Sequence, residues 1–377
     1  MMRSRKFRDT AFILHRYIGL AIGILIAFVG LTGSLLVFKP EMAQFLITQQ
    51  VGSIVPQQQI ISLDAVVETA KSANANRPDL KLDSLRFPVT ANSPYEVGFF
   101  DAANQLTRIF IHPYTGAILG QNESDSSFER IVLRLHYGLL LGRNGEILVG
   151  ISGLLLFILC ITGLILWPGW RKLIPGFKIK WDGHPKRFNF DIHKVAGIVT
   201  SIFLAFTAFT GFCWNFSDWS YPLIYAVTFT AELPEVTSQP IANQTPLKPS
   251  QLLQISNNVF PDAKTFSLSI PSKPEDAVYI RKRQNHEIFY GESGVYLDQY
   301  SGEVLRVVNS LKFPLADKVF SAFTYLHYGT FWGLNSRILY VFVGLSPTIL
   351  LITGFVMYRY RHRKNKQKDV MREAHLS

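Results

Sequence analysis

Residues 15–38 of the chain read HRYIGLAIGILIAFVGLTGSLLVF. From residue 17 onward this stretch contains no Asp, Glu, Lys or Arg, and about 20 apolar residues are enough for a helix to cross the hydrocarbon core of a membrane. Three later stretches, residues 147–167, 195–216 and 338–358, have the same character. Buried helices of a large soluble protein would carry charged residues at helical spacing, and these stretches carry none. The sequence therefore predicts four transmembrane helices.

The first stretch has a counterpart in the second half of the chain. Eighteen positions separate His15 from Gly33, and the same number separates His193 from Gly211. Small residues follow each histidine in steps of three or four, which places them on one face of a helix. They are Gly19, Gly23, Ala27, Gly30 and Gly33 in the first copy, and Gly197, Ser201, Ala205, Ala208 and Gly211 in the second.

The other two stretches repeat in the same way. Each is preceded by a Leu-His-Tyr-Gly segment, and 27 positions lead from His136 to Gly163 and from His327 to Gly354. All four stretches also contain a Thr-Gly pair in their later part, beginning at Thr32, Thr162, Thr210 and Thr353. Agreement at several offsets indicates a duplication. Because both copies begin on the same side of the membrane, the repeats are parallel.

The net charge of +11 indicates how the chain is oriented. Lys and Arg are concentrated at the N-terminus, in residues 171–187 and in residues 359–364, whereas the long loops 39–146 and 217–337 are close to balanced. Basic residues favour the cytoplasmic side, so both termini and the middle loop are predicted to be cytoplasmic. The long loops then face the periplasm of a bacterial inner membrane. Since topology accounts for the basic residues, no nucleic-acid partner is expected.

The predicted fold is an all-α bundle of four transmembrane helices in two parallel repeats, with a small α+β domain in each long loop. Amphipathic patterns predict helices at Leu63–Ala73, Pro249–Val259 and residues 128–141, while residues 108–119 and 294–305 read as a strand, a Gly turn and a strand. The predicted parts are the N-terminus with the first span (1–38), the first outer domain with its interfacial helix (39–146), the second span (147–167), the cytoplasmic loop (168–194), the third span (195–216), the second outer domain with its interfacial helix (217–337), the fourth span (338–358) and the cytoplasmic tail (359–377).

Four of the nine histidines occupy equivalent positions in the two copies. His15 and His193 lie at the cytoplasmic ends of their spans, and His136 and His327 precede theirs on the outer side. Each pair can converge on the pseudo-two-fold axis, where a flat ligand with one donor above and one below fits, and haem iron is such a ligand. Ionisable residues next to lipid are costly and usually functional. The pattern therefore predicts two haems, ligated by His15 with His193 and by His136 with His327.

The Thr-Gly pairs are predicted to line these sites. Antiparallel neighbours bring Gly163 and Gly354 to the depth of the first histidine pair, and Gly33 and Gly211 to the depth of the second. Glycine lets a porphyrin approach the backbone closely, although small residues at this spacing also allow helices simply to pack tightly.

Three further features of the sequence bear on which metal group the histidine pairs would bind. Four cations are placed to meet haem propionates, although topology and solvation account for them almost as well: Arg16, Lys194, Arg134 and Arg337. Zinc is the competing metal, but it favours tetrahedral clusters, and no third donor stands at fixed spacing beside either pair. The sequence has no Cys-x-x-Cys-His segment, so the haems are expected to be b-type.

The predicted ligation suggests a function. Bis-histidine ligation fills both axial positions, which disfavours oxygen binding and suits one-electron transfer. The cytoplasmic segments are too short for a nicotinamide or flavin domain, so a quinol or a separate cytoplasmic reductase is expected as the electron donor. The outer loops hold most of the mass outside the spans, so the acceptor is expected on that side.

The His-[Arg/Lys]-x-x-Gly spans, the Leu-His-Tyr-Gly segments and the Tyr-x-Gly hairpins resemble the PepSY-associated transmembrane family over nearly the whole chain. That family includes ferric-siderophore reductases with two haems. The resemblance implies PepSY-like outer domains and axial ligation by His15, His193, His136 and His327. It also implies an oxidoreductase that transfers one electron to a ferric siderophore, or another ferric chelate, arriving from the periplasm.

Two other classes of function stay open. PepSY modules are thought to bind and restrain peptidases, which would make the protein a non-enzymatic regulator. A siderophore or metal permease would need polar groups along a path through the spans, and the middle of each span is almost wholly apolar.

Overall fold

The structure is a computed structural model, and it describes residues 2–123, 127–241, 243–285 and 292–374. The chain divides into two compact units. We call them the helical unit (Met1–Phe38, Val132–Leu223 and Phe323–Ser377) and the sheet unit (Lys39–Ile131 and Ile224–Ala322).

The helices and strands have the following bounds in chain order: α1 (Met2–Leu36), α2 (Lys39–Val51), α3 (Leu63–Ala73), β1 (Lys81–Arg86), β2 (Tyr95–Phe100), β3 (Leu106–Ile111), β4 (Ile118–Glu123), α4 (Phe128–Gly138), α5 (Gly142–Leu166), α6 (Leu173–Phe177), α7 (Pro185–Asn215), α8 (Ser217–Val227), α9 (Pro249–Val259), β5 (Lys264–Ser269), β6 (Val278–Arg283), β7 (Ser293–Leu297), β8 (Val304–Val308), α10 (Leu315–Tyr328) and α11 (Gly333–Ala374).

Four helices of the helical unit are long and apolar enough to cross a membrane. They cover Arg5–Leu36, Gly142–Trp170, Pro185–Asn215 and Gly333–His362. The four predicted spans are confirmed. Helices α1 and α7 begin well before the apolar stretches, because the polar residues ahead of each stretch continue the helix. His15 and His193 therefore lie inside spanning helices.

The spans form a ring in which each helix contacts helices of both copies. Helix α1 packs against α5 and α11, and α7 packs against the same two helices. Contacts are most extensive between the copies, for α1 with α11 and for α5 with α7. Buried hydroxyls contribute: Ser34 donates to the carbonyl of Val341, and Ser346 donates to the hydroxyl of Thr200. The duplicated halves are thus interleaved rather than side by side.

The sheet unit contains a single antiparallel sheet of eight strands in the order β4-β3-β2-β1-β5-β6-β7-β8. Helices α3 and α9 belong to its core, where Val66 and Leu252 cluster with Val97 and Ile280. The predicted hairpins of residues 108–119 and 294–305 are confirmed as β3–β4 and β7–β8. The helices predicted at Leu63–Ala73 and Pro249–Val259 are confirmed with the same bounds.

One fold prediction needs correction, because the protein is not purely helical and the long loops do not form two separate domains. Strand β1 of the first loop pairs with β5 of the second, with Leu85 opposite Leu268. A strand at the edge of a sheet exposes unpaired backbone groups. Joining the two four-stranded halves removes one such edge from each, which explains why the loops combine.

Candidate functional site

Two pairs of histidines lie close together in the helical unit. The imidazoles of His15 on α1 and His193 on α7 have ring centroids 6.1 Å apart and planes inclined at 84°. His136 on α4 and His327 on α10 repeat this geometry, at 6.1 Å and 83°. We call the first the span pair, because both residues lie in spanning helices, and the second the short-helix pair. The structure thus brings together the residues that the duplication pairs.

A threonine hydroxyl contacts each imidazole at Nδ1. Each threonine also donates to the carbonyl four residues earlier in its helix, so its Oγ1 is left to accept from the histidine. With Nδ1 protonated, the lone pair of each imidazole lies on Nε2. The Nδ1···Oγ1 distances are 3.0 Å for His15 and Thr162, 2.9 Å for His193 and Thr353, 3.1 Å for His136 and Thr32, and 2.7 Å for His327 and Thr210.

The tautomer is independently determined at His136. Its Nδ1 lies 3.0 Å from the backbone oxygen of Val29, in addition to the hydroxyl of Thr32. A carbonyl oxygen can only accept a hydrogen bond, so Nδ1 of His136 must carry the proton. Nε2 is then the nitrogen available to a metal.

The glycine that follows each of these threonines lies against the same imidazole. A Cβ built at the four positions would approach Cε1 of the ring closely enough to touch or displace it. The distances would be 2.9 Å for Gly33 and His136, 3.3 Å for Gly163 and His15, 3.4 Å for Gly354 and His193, and 3.5 Å for Gly211 and His327. All four predicted glycines therefore lie beside the histidine that their position implies.

A cavity of about 1020 Å³ adjoins the span pair. Sites for small molecules and cofactors usually have volumes of roughly 300–1,000 Å³. His15, His193, Gly163 and Gly354 line the cavity. Its cationic lining residues are Arg8, Arg16, Lys186, Arg187, Lys194 and Arg361. This cavity can take a large ligand that carries acidic groups.

Arg16 presents a buried donor at this cavity. Its guanidinium lies over the rings of Phe12 and Tyr17, 5.5 and 4.5 Å from their centroids. Among the residues that the structure describes, none accepts a hydrogen bond from its buried Nε. A buried donor without an acceptor is costly, which is the arrangement expected of a residue that meets an acidic group of a ligand.

Lys194, at the equivalent position of the second copy, has partners within the protein. Its ammonium donates to a carboxylate oxygen of Asp191 at 2.6 Å and to the carbonyl of Pro175 at 2.9 Å. Asp191 is fully buried and also accepts from Arg187 at 3.0 Å. The charge of Lys194 therefore neutralises a buried carboxylate and fastens α6 to α7.

The two cations predicted near the short-helix pair, Arg337 and Arg134, also have different surroundings. Arg337 donates to the carbonyl of Val37 at 2.8 Å and lies over the ring of Phe38, so it satisfies a carbonyl just after the end of α1. Arg134 is half-buried on α4, two positions before His136.

The short-helix pair is neutral at pH 7. Burial lowers the pKa of His136, against an opposing effect of the Val29 carbonyl, and it also lowers the pKa of His327, which lies next to His136. A neutral imidazole keeps the lone pair that metal coordination requires. Both residues are therefore in the form that can bind a metal.

The spacing of each pair suits one metal ion between two rings. Two imidazoles that bind a metal from opposite sides through Nε2, each at about 2 Å, have ring centroids roughly 6 Å apart. Among the described residues, no group of three or more His, Cys, Asp or Glu side chains could hold a metal ion. Each pair can therefore supply two ligands to a metal whose remaining ligands come from a planar cofactor.

Sequence analysis did not identify one residue that lies against the short-helix pair. The indole of Trp214 lies 4.7 Å from the ring of His327, between centroids. The duplication offered no signal for it, because the first copy has Leu36 at the equivalent position. An aromatic side chain three positions after Gly211 was the available signal.

Comparison with known proteins identifies the family of the chain. A family model of the PepSY-associated TM region matches residues 12–361, which include both histidine pairs and nearly all of the four spans. A comparison with curated proteins finds no match. Because the family model covers almost the whole chain, the chain belongs to the family of membrane proteins with a PepSY-associated TM region.

Proposed function

We propose that this protein transfers electrons across a bacterial inner membrane through two b-type haems and reduces a ferric chelate, such as a ferric siderophore, in the periplasm. Each histidine pair would hold one haem. When bound, each haem would supply a one-electron iron couple. The chain's own residues bind, orient and separate the two groups.

The observation that carries the proposal is the repeated imidazole geometry. Both pairs have centroids 6.1 Å apart and nearly perpendicular planes. The two pairs come from different kinds of helix, so packing of the spans alone does not require the same spacing twice. A shared ligand of one size, with a donor on each face, accounts for the agreement.

The threonines provide the second support. An imidazole that binds a metal usually donates its other N–H group to an acceptor, which fixes the ring and its tautomer. Thr162, Thr353, Thr32 and Thr210 fill this role. Simple helix packing would not need a hydrogen bond to Nδ1 at all four histidines.

The cationic lining of the cavity provides the third support. Haem propionates are carboxylates, and an arginine binds a carboxylate strongly through charge-assisted hydrogen bonds. The buried Nε of Arg16 has no acceptor among the described residues and would gain one from a propionate. Because Lys194 already pairs with Asp191, we assign propionate binding to Arg16.

The length of α1 sets the distance between the two groups. Gly33 lies against His136, and eighteen positions separate it from His15. At 1.5 Å per residue the two histidines lie about 27 Å apart along the helix axis. The electron donor is a quinol or a cytoplasmic reductase, and both termini of the chain are cytoplasmic in this proposal.

A reduced-minus-oxidised absorbance spectrum with haem quantified per chain tests the proposal. The wild type should hold two haems, and His15→Ala and His136→Ala should each hold one. His362→Ala, in which the lost imidazole is exposed on α11, is the matched control and should keep both.

Two results would contradict the proposal. Purified protein without a Soret band would favour the non-enzymatic alternative, a membrane-anchored PepSY module that regulates a peptidase. Loss of both haems from one substitution, in a protein that remains folded, would exclude two independent sites.

A further inference from the structure

The segment that connects α5 to α7 exposes large apolar side chains. We call residues 168–181 the connecting segment, and it contains α6. The exposed fractions are 67% for Trp170, 64% for Leu173, 81% for Ile174 and 46% for Phe177. All four side chains fall within eight positions of the chain. Because large apolar patches on a protein surface mark protein or membrane interaction sites, this cluster needs a partner.

The connecting segment has a fixed position against α7. Lys194 of α7 donates to the backbone carbonyl of Pro175 at 2.9 Å, and the carboxylate of Asp191 accepts from the backbone N–H of Lys180 at 3.2 Å. Gly176 is buried, so one side of α6 lies against the protein and the other side is exposed. The apolar side chains therefore belong to a well-anchored part of the fold, on the side that faces away from α7.

The contact with Lys194 gives the depth of the connecting segment. Lys194 directly precedes residues 195–216, the charge-free stretch of α7. Its ammonium reaches Pro175, so α6 lies beside the position where the apolar part of α7 begins. Helix α7 extends back to Pro185, about 13 Å beyond Lys194 at 1.5 Å per residue. Helix α6 therefore flanks the bundle instead of covering its end, and its exposed side chains lie at the depth where lipid headgroups meet acyl chains.

The connecting segment is also basic. Arg171, Lys172, Lys178 and Lys180 are exposed, and the segment contains no Asp or Glu. Basic residues next to a membrane attract anionic lipids, although membrane topology by itself also places cations in a short loop. Topology does not account for the large apolar side chains that are exposed between these cations. Apolar and basic residues together are the pattern of a segment that lies in the membrane interface.

We propose that the connecting segment is an interfacial anchor, which inserts its apolar side chains into the membrane and binds anionic phospholipids through its cations. Tryptophan is enriched at membrane interfaces, and Trp170 is the last residue of the second span. Its indole N–H donates to the carbonyl of Leu164 at 2.6 Å, so the ring can enter an apolar layer without an unsatisfied donor. The anchor goes beyond the proposed electron transfer and does not depend on haem.

The depth of position 174 tests the insertion, in full-length protein reconstituted in nanodiscs of phosphatidylcholine and phosphatidylglycerol. A nitroxide attached to Ile174→Cys should collide often with oxygen, which concentrates in lipid, and rarely with a water-soluble nickel chelate. Cys160 and Cys213 are buried, so wild type treated with the same reagent gives the background. Asp182→Cys is the matched control, because Asp182 is exposed just beyond the segment, and its ratio of oxygen to nickel collisions should be lower. Equal ratios at the two positions would overturn the inference.

Lipid titration followed by native mass spectrometry tests the selectivity of the anchor. We expect wild type to bind phosphatidylglycerol more tightly than phosphatidylcholine. Lys172→Gln should weaken phosphatidylglycerol binding about fivefold, the effect of one cation near an anionic surface. Lys6→Gln is the matched control, because Lys6 is exposed near the start of α1, at the same end of the bundle but outside the connecting segment, and it should change the affinity little. Equal affinity for the two lipids, or equal effects of Lys172→Gln and Lys6→Gln, would overturn the inference.

Discussion

The two histidine pairs have the same ring geometry but reach it by different means. His15 and His193 belong to long spanning helices, α1 and α7. His136 and His327 lie in the last turns of the short helices α4 and α10. The position of the span pair is therefore determined by the packing of the bundle. The short-helix pair depends on contacts that hold each imidazole against a neighbouring span.

Those contacts differ between the two copies. Nδ1 of His136 meets both the hydroxyl of Thr32 and the carbonyl of Val29, whereas His327 meets the hydroxyl of Thr210. No carbonyl accepts from His327 among the described residues, and the indole of Trp214 lies against its ring instead. The comparison shows that a duplicated pair can keep its ring geometry while the contacts that support the rings differ.

The largest expected effect comes from a side chain that fills the space of one imidazole, because it should remove one haem and leave the other. In Gly33→Leu the new side chain would fill the space of the His136 imidazole, because even a Cβ would lie 2.9 Å from its Cε1. We expect this variant to lose the haem of the short-helix pair completely and to keep the other. The absorbance spectrum should match that of His136→Ala.

Gly163→Leu is the reciprocal variant, since its Cβ would lie 3.3 Å from Cε1 of His15. It should lose the haem of the span pair alone, with a spectrum that matches His15→Ala. If both variants lost the same haem, the assignment of each glycine to its histidine would be wrong.

A smaller effect, on the rate of haem loss, should distinguish His327 from His136. Replacing an acceptor behind a metal-binding histidine typically lowers affinity about 10–100-fold. Thr210→Val leaves His327 without its hydroxyl partner, whereas Thr32→Val leaves His136 the carbonyl of Val29. We expect Thr210→Val to increase the rate of haem loss more than Thr32→Val does, as measured by transfer to apomyoglobin.

Thr207→Val is the control for these variants, because Thr207 lies on the same helix as Thr210 and its hydroxyl donates to the carbonyl of Leu204. It should leave the rate of haem loss unchanged. Equal rates for Thr210→Val and Thr207→Val would show that the threonine does not support the ligand.

Much of this architecture is predictable because its signals are local or repeated. The spans follow from uninterrupted apolar stretches, and α3 and α9 follow from helical periodicity with Ser62 and Pro249 at their starts. The pairing of the histidines follows from the duplication, since equivalent positions meet on a symmetry axis.

Other features depend on contacts that sequence patterns do not encode. Strand β1 has the same alternation whether it lies at an edge or pairs with β5, so the joining of the two half-sheets gave no signal. The roles of Arg16 and Lys194 also look alike in sequence, because each follows a histidine. Only the position of Asp191, three residues before Lys194 and fully buried, distinguishes them.

The smallest expected effect concerns these two cations of the span pair. Arg16→Gln removes the charge that would meet a propionate in the cavity beside the span pair. We expect haem affinity at this pair to fall roughly fivefold, equivalent to about 1 kcal/mol, the usual upper range for an ion pair with access to solvent. Lys194→Gln should instead lower the Tm and leave haem affinity unchanged, because it removes a partner of the buried Asp191. Haem transfer to apomyoglobin and thermal unfolding in detergent separate the two effects. If both variants changed haem affinity equally, the two copies would hold the ligand symmetrically, and the unpartnered Nε of Arg16 would not mark a propionate site.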